Sequence, residues 1–183
     1  NRGDNFNVSV QIVRSSNTND FISLTLKCDS GTVELYKSPL FIKAGDKKTV
    51  NLETALDKFV LGDLIGSCII KSSYANEEVT SRTFTITKDI DITLDTPIYN
   101  INPGSSINVS GKAMKKNGLP LTGFIELKLD NINSTEIFSV SNGKFSGVMK
   151  IPEYLRSGIH EIILNAYEKD LDELILNEGI KKC

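Results

Sequence analysis

Apolar and polar residues alternate along most of the chain, which is the period of a β-strand with one face in a core and the other in water. In the first half, the runs from Phe6 to Ile12 and from Ile22 to Cys28 show this alternation, and further strands are predicted at 64–74 and 81–87. Residues 53–60 are the one helix-like stretch of this half and suit a connection that crosses from one sheet to another. The pattern predicts about seven short strands with turns roughly every 8–12 residues, as in a β-sandwich.

The second half repeats the alternation with stronger turn signals. Pro103-Gly104, Asn117-Gly118 and Asn142-Gly143 are turn dipeptides that separate alternating runs. A late run extends over 160–166, and the segment 171–178 is interpreted as a closing strand, with a short helix as the alternative. The sequence therefore predicts an all-β chain of two tandem β-sandwich domains, with about seven strands each.

The segment between the two halves carries no turn signal. From Thr83 to Asp95 the alternation continues without a Gly or a Pro, so the junction does not have the composition of a flexible linker. We expect the last strand of one domain to lead almost directly into the first strand of the next. The predicted domains are 1–88 and 89–183, arranged end to end with limited freedom.

Composition removes several classes of function. The chain has 183 residues and a formal net charge of −2, and its basic residues are scattered, with only three Lys-Lys doublets. A nucleic-acid surface needs concentrated basic residues with interleaved aromatic ones, so no nucleic-acid partner is predicted. The longest apolar runs are two or three residues, whereas a transmembrane helix needs about 20, so no membrane span is predicted in this segment.

Three cysteines, Cys28, Cys68 and Cys183, leave one unpaired. Cys28 and Cys68 each lie in phase with apolar residues of their strands, so a disulfide between facing sheets is the favoured interpretation. The alternative is a pair of buried free thiols. Aligning Ser72-Ser73-Tyr74 with the corresponding late strand of the second domain would turn Cys68 outward and argue against the bond.

Three Asn-x-Ser/Thr sequons are candidate glycosylation sites in a secreted protein. A chain this rich in Asn, Ser and Thr is also expected to contain two or three of them by chance. The acceptor residues are Asn7, Asn108 and Asn133.

No residue pattern predicts a catalytic, cofactor-binding or metal-binding site. His160 is the only histidine, and we interpret it as a hydrogen-bonded structural residue at a corner of the sandwich. Arg2-Gly3-Asp4 matches the integrin-recognition tripeptide, for which chance is the favoured explanation. Asp89, Asp91 and Asp95 share one strand face, and the favoured reading is a solvated acidic edge rather than a calcium site.

The second domain resembles Ig-like repeats of prokaryotic cell-surface proteins and is similar also to macroglobulin-type sandwich domains. The resemblance covers about residues 92–168 and implies an Ig-like fold for both predicted domains, although the first shares only the strand rhythm. Such families are mostly spacers, adhesion units and scaffolds, so the resemblance implies no enzymatic activity and no cofactor. The segments that carry it are Asp95 to Tyr99, Pro103 to Gly111, Asn117 to Gly123, Asn142 to Ser146 and Ser157 to His160.

The sequence thus predicts a non-catalytic structural or adhesive module of a secreted or cell-surface protein, acting as a semi-rigid spacer. Its expected partners are other domains of the same surface protein or another surface protein. The alternative is a set of protein- or ligand-binding accessory domains within a larger secreted enzyme or a protease-trap protein.

Overall fold

A computed structural model describes residues 1–130, 132, 135–169 and 173–183, except for the side chain of Lys58. The chain is all-β and its sheets are antiparallel, as the alternation predicts. It divides into two compact units. The first unit comprises Arg2–Thr87, and the second comprises Lys88–Cys183 together with Asn1.

The first unit has a two-stranded ribbon and a larger sheet. The ribbon pairs β1 with β4, and the sheet has the order β3-β2-β5-β6, with β7 pairing beside the other end of β5. Apolar residues of both sheets, including Leu26, Ile70 and Phe6, meet in the core between them. The strands and the helix are β1 (Asn5–Val13), β2 (Thr18–Cys28), β3 (Gly31–Ile42), β4 (Lys47–Ala55), α1 (Lys58–Leu61), β5 (Gly66–Tyr74), β6 (Glu77–Thr80) and β7 (Phe84–Ile86).

The second unit is built from a three-stranded sheet, β12-β9-β8, and a four-stranded sheet, β11-β10-β13-β14. One core cluster joins the two sheets, and Val109, Leu127 and Leu164 are fully buried in it. The strands are β8 (Ile90–Leu94), β9 (Ser106–Lys115), β10 (Gly123–Leu129), β11 (Thr135–Val140), β12 (Lys144–Lys150), β13 (Ile162–Lys169) and β14 (Ile175–Lys182).

The two units follow one strand plan. In each, six successive strands run in the same order, and the fourth of the six returns to pair with the first: β4 with β1, and β12 with β9. The sheet β3-β2-β5-β6 corresponds to β11-β10-β13-β14. The second unit has one strand more at the start, because β8 pairs with the remaining edge of β9.

One expectation about individual elements is confirmed, one is confirmed in part, and one strand was not expected. Strand β7 ends at Ile86 and β8 begins at Ile90, so one strand follows the other almost directly, as expected, and between them the carbonyl of Lys88 accepts a hydrogen bond from the Glu178 N–H at 2.8 Å. The helix-like stretch at 53–60 is divided, because residues up to Ala55 pair with β1 and the short helix α1 begins only at Lys58. Strand β6 was not anticipated, since it follows a turn at Ala75-Asn76 with positive φ but no glycine.

Candidate functional site

The open edge of β1 is the most distinctive feature of the first unit. The Leu56 N–H donates to the Asp4 carbonyl at 3.0 Å, and the register of β1 with β4 continues from this pair. Hydrogen-bonded and non-hydrogen-bonded pairs alternate in an antiparallel ladder, so the even-numbered residues of β1 bond to β4. The backbone groups that point away from β4, toward an edge where no strand of the described residues pairs, belong to Asn7, Ser9 and Gln11.

A groove of about 610 Å³ runs along this edge. Its first wall is β1, its floor is the inner face of β5, and its second wall is the segment from β6 to β7. The floor is buried, with Ile70 at 4% and Ser72 at 5% exposure, whereas Val79 on the second wall is 63% exposed. We call this cavity the β1 groove, and it is lined by Phe6, Asn7, Val8, Ser9, Val10, Gln11, Ile70, Ser72, Val79, Thr80, Ser81, Arg82 and Phe84.

The second wall is low because no long strand lies there. Strand β6 has four residues, all of them exposed, and Ser81 then interrupts the pairing with β5. The Ser81 N–H donates to the Ile70 carbonyl at 2.8 Å, while its hydroxyl oxygen accepts from the Ile70 N–H at 2.9 Å. A side-chain oxygen thus replaces a strand carbonyl, and the chain leaves the ladder until β7 begins at Phe84.

The second unit shows what covers the corresponding edge. There, β8 pairs with β9 from Ile90 opposite Lys115 to Leu94 opposite Gly111. The inward side chains of β8, Ile90, Ile92 and Leu94, are only 6–8% exposed. In the first unit the inward residues Phe6, Val8 and Val10 are only partly buried. The β1 groove is therefore the position that β8 fills in the second unit.

The electrostatics of the groove are set by a single cation. Arg82 lines it and is exposed, and no carboxylate among the described residues lies within salt-bridge distance of its guanidinium. The neighbouring charges are already engaged, because Glu77 pairs with Arg14 at 2.7 Å and Glu78 pairs with Lys71 at 2.6 Å. The groove thus combines a floor of one apolar and one polar residue, free backbone donors and acceptors, and an arginine without an anionic partner among the described residues.

Cys28 and Cys68 form a disulfide, with their Cα atoms 4.0 Å apart. The favoured interpretation, a bond between facing sheets, is wrong in this respect. Cys28 lies directly opposite Cys68 on adjacent strands of one sheet, in the register of β2 with β5. Both residues face the core, at 7% and 1% exposure, so the alignment that turned Cys68 outward is wrong.

The candidate glycosylation sites lie on outward strand faces where they can be described. Asn7 is exposed on β1, on the edge of the β1 groove, and Asn108 is exposed on β9. Asn133 lies outside the described residues. Glycosylation at these positions stays a prediction.

His160 lies in the loop before β13 rather than in the strand itself. Its Nε2 is 2.9 Å from the Arg156 carbonyl oxygen, to which it donates, and its Nδ1 is 3.3 Å from an Asp130 carboxylate oxygen. The expected bond from this side chain back to the backbone is confirmed. Through these two contacts the imidazole stabilises the loop before β13, at a corner of the sandwich.

Arg2-Gly3-Asp4 is not presented as a recognition loop. Arg2 is 5% exposed, and its guanidinium donates to the Gly62 carbonyl. The same group lies 3.8 Å from Asp63. A tripeptide whose arginine is buried in this way cannot be read by a receptor without unfolding the segment.

The acidic residues near the junction have separate protein partners. Asp91 pairs with Lys116 at 3.2 Å, and Asp95 accepts from the Ser110 hydroxyl at 2.7 Å. The backbone carbonyl of Asp89 accepts a hydrogen bond from the Asn1 side-chain amide at 2.8 Å. Within the described ranges, no three His, Cys, Asp or Glu residues are grouped so that they can hold a metal ion.

Sequence reasoning did not find the β1 groove. The alternation of β1 predicts one apolar face but does not say which strands pair with its two edges. The nearest signal is Ser81-Arg82-Thr83, three polar residues that interrupt the late apolar pattern of this unit.

No protein-family model matches the chain, and no curated protein matches it at a significant level. Among the described residues, no helix is both long enough and apolar enough to cross a bilayer.

Proposed function

We propose that this chain is a non-catalytic structural or adhesive module of a secreted or cell-surface protein. The observation that carries the proposal is the disulfide between Cys28 and Cys68. Disulfides persist in oxidising compartments and are rare in the cytosol, where thiols are kept reduced. A core bond of this kind supports an extracellular location for the protein.

The architecture supports a structural or adhesive role. Both units bury an apolar core between antiparallel sheets, and both follow the same strand plan. Repetition of one stable sandwich is how many surface proteins build spacers and adhesion units. The strand order also supports the proposed Ig-like assignment, and the semi-rigid spacer inferred from the junction stays a prediction.

Protease treatment of intact cells that produce the protein tests the location. A protease that cannot enter cells should release or degrade the chain, as followed with an antibody to it, while a cytosolic protein stays intact. Alkylation in denaturant should leave Cys28 and Cys68 unmodified unless a reductant is added, because unfolding exposes both residues and only the disulfide then protects them. A chain that survives until lysis, with both thiols free, would contradict the proposal.

A second candidate function is binding of another protein, as an accessory module of a larger secreted protein. The β1 groove favours it, because an open strand edge beside a groove is a recurrent site of peptide recognition. The partner under this proposal is another surface protein or another domain of the same one.

A further inference from the structure

We propose that the second unit forms a covalent amide bond between the side chains of Lys115 and Asn177, with Glu168 carrying the protons of the reaction. The bond joins β9 to β14 and therefore links the two sheets of the unit covalently. It goes beyond the function proposed above and does not depend on it.

Three polar side chains lie at inward or buried positions of core strands in this unit. Lys115 continues the inward phase of β9, in which Val109 and Ala113 are fully buried. Among the lysine side chains that the structure describes, it is the only buried one, at 8% exposure. Asn177 on β14 is 0% exposed, and the Glu168 side chain on β13 is 17% exposed. Polar groups in such places must satisfy one another, because water does not reach them.

One carboxylate oxygen holds both nitrogen atoms of the proposed bond partners. The Lys115 Nζ lies 3.0 Å from Glu168 Oε2, and the Asn177 Nδ2 donates to the same oxygen at 2.6 Å. Glu168 and Asn177 lie directly opposite each other in the register of β13 with β14. The amine and the amide are therefore within two hydrogen-bond lengths of each other, and the fold already holds the nucleophile beside its target.

The backbone around this cluster brings the two sheets together. Ile90 on β8 pairs with Lys115, and the Glu178 N–H donates to the Lys88 carbonyl at 2.8 Å. A Cβ at Gly179 on β14 would overlap the Ile90 carbonyl oxygen, so the strands can approach this closely only because the side chain is missing. The close approach keeps bulk water away from the cluster and holds β9 near β14.

The amide of Asn177 is oriented for attack at its carbon. Its nitrogen faces Glu168, and its oxygen lies 3.4 Å from the Asn1 Nδ2, which also donates to the Asp89 carbonyl at 2.8 Å. The Asn117 N–H donates to the Asn1 Oδ1 at 3.1 Å and so fixes the donor side chain. Negative charge that develops on the Asn177 oxygen during the attack therefore faces an N–H group.

The reaction is an acyl transfer without a change of oxidation state. The Glu168 carboxylate takes a proton from the Lys115 ammonium, and the amine attacks the side-chain carbonyl carbon of Asn177. A new C–N bond forms, the bond from this carbon to Nδ2 breaks, and Glu168 transfers the proton to the leaving nitrogen. The second proton that the attacking nitrogen gives up leaves with the ammonia, as ammonium. The reaction occurs once per chain, and a buried ammonium group is replaced by a neutral amide.

The intact mass of the folded chain tests the bond directly. After denaturation and reduction, the unmodified chain should be lighter than its sequence mass by one molecule of ammonia. A tryptic digest should contain a branched peptide that joins the segments around Lys115 and Asn177, as identified by fragmentation mass spectrometry. A cyclic imide at Asn117-Gly118 or Asn142-Gly143 would cause the same loss of mass, and the branched peptide distinguishes the proposed bond from it.

Substitutions at the three positions separate the bond from a purely structural ion pair. Lys115→Arg keeps the positive charge but has no reactive amine, so this variant and Asn177→Ala should each have their full sequence mass. Lys112→Arg, on the outward face of β9, is the matched control and should lose ammonia as the unmodified chain does. Glu168→Gln should slow the loss of ammonia by about 100-fold or more, the size of general acid–base catalysis, as followed by intact mass after cell-free synthesis.

Three outcomes would overturn the inference. The first is a folded, unmodified chain that has its full sequence mass, a result that needs no variant and stays decisive if a variant fails to fold. The second is a loss of ammonia that persists in Lys115→Arg or that maps to an Asn-Gly sequence. The third is an equal rate of loss in Glu168→Gln and the unmodified chain, which would remove Glu168 from the reaction. The surface location is tested separately by the protease experiment.

Discussion

Glu126 is the carboxylate whose protonation the described contacts control most directly. Its side chain accepts hydrogen bonds from Asn165 at 3.0 Å and from Lys128 at 2.9 Å. These bonds, that of Asn165 foremost, lower the pKa of Glu126 below its ordinary value of 4.5. The ionised form is therefore favoured by folding, and its contribution to stability is fully present at neutral pH.

Glu126→Gln should accordingly lower the free energy of unfolding by about 0.5 kcal/mol at pH 7, the size typical of a partly exposed ion pair. A depressed pKa gives stability that is lost as pH falls through the folded-state value, so the difference from the unmodified chain should shrink below pH 4.5. Urea unfolding of both proteins between pH 7 and below pH 4.5 measures this difference in the free energy of unfolding. Glu153→Gln, at an exposed position, is the control, and a difference that grows on acidification would refute the assignment.

At the same scale, sequence reasoning placed side chains on the correct face but not beside the correct neighbour. Alternation put Cys28 and Cys68 in phase with core residues, and both are buried. It did not reveal that they lie opposite each other on β2 and β5. The face that a residue occupies follows from the polarity pattern of its own strand. The residue that lies opposite it depends on which strands pair and in what register.

Among the elements, β9 shows how a glycine allows close approach of two strands. A Cβ at Gly111 would overlap the Thr93 carbonyl oxygen of β8 and would lie 2.8 Å from the Phe145 ring on β12. The position has no positive φ, so the constraint is space rather than backbone conformation. Strand β9 lies between two neighbours, and the missing side chain lets both of them pair.

Gly111→Ala should lower the stability of the second unit by about 1–3 kcal/mol, because a backbone carbonyl must move to admit the methyl group. Hydrogen exchange of the β8 and β9 amides during urea unfolding measures the effect. Asn108→Ala, on the exposed face of the same strand, should change stability by less than about 0.5 kcal/mol. Equal effects of the two substitutions would show that space at Gly111 is not limiting.

The turns explain which elements were predictable. Asn142 and Gly143 both have positive φ, as expected for a tight hairpin dipeptide, and the strands on either side were predicted. Ala75 and Asn76 adopt the same sign of φ without a glycine, so the short strand β6 that follows was missed. Local turn chemistry can be read from sequence only where the usual residues are used.

At the scale of the whole molecule, the disulfide belongs to one unit alone. Cys28 and Cys68 are 40 residues apart in the chain and lie in the core of the first unit. Closing a loop of this length restricts the unfolded state and stabilises the folded one by about 3–4 kcal/mol. The second unit has a separate core, to which neither cysteine of the disulfide belongs.

Replacing both cysteines with serine should therefore destabilise the first unit by about 3–4 kcal/mol and leave the unfolding of the second unit unchanged. Urea unfolding followed by residue-resolved hydrogen exchange separates the two units. Cys183→Ser is the control for the loss of a thiol, since Cys183 is not in the disulfide. An equal loss of stability in both units would contradict confinement of the effect to the first.

The sequence by itself determined the all-β class and the inner face of most strands, because a two-residue period reports which side chains are buried. It also indicated the turns made by the usual turn residues. The tertiary structure decided the pairing of Cys28 with Cys68, the hydrogen bond from His160 to the Arg156 carbonyl and the burial of Arg2. It also decided that β1 pairs with β4 along one edge and with no strand of the described residues along the other. These features depend on contacts between residues distant in the chain, and the polarity pattern of a single strand carries no information about its partners.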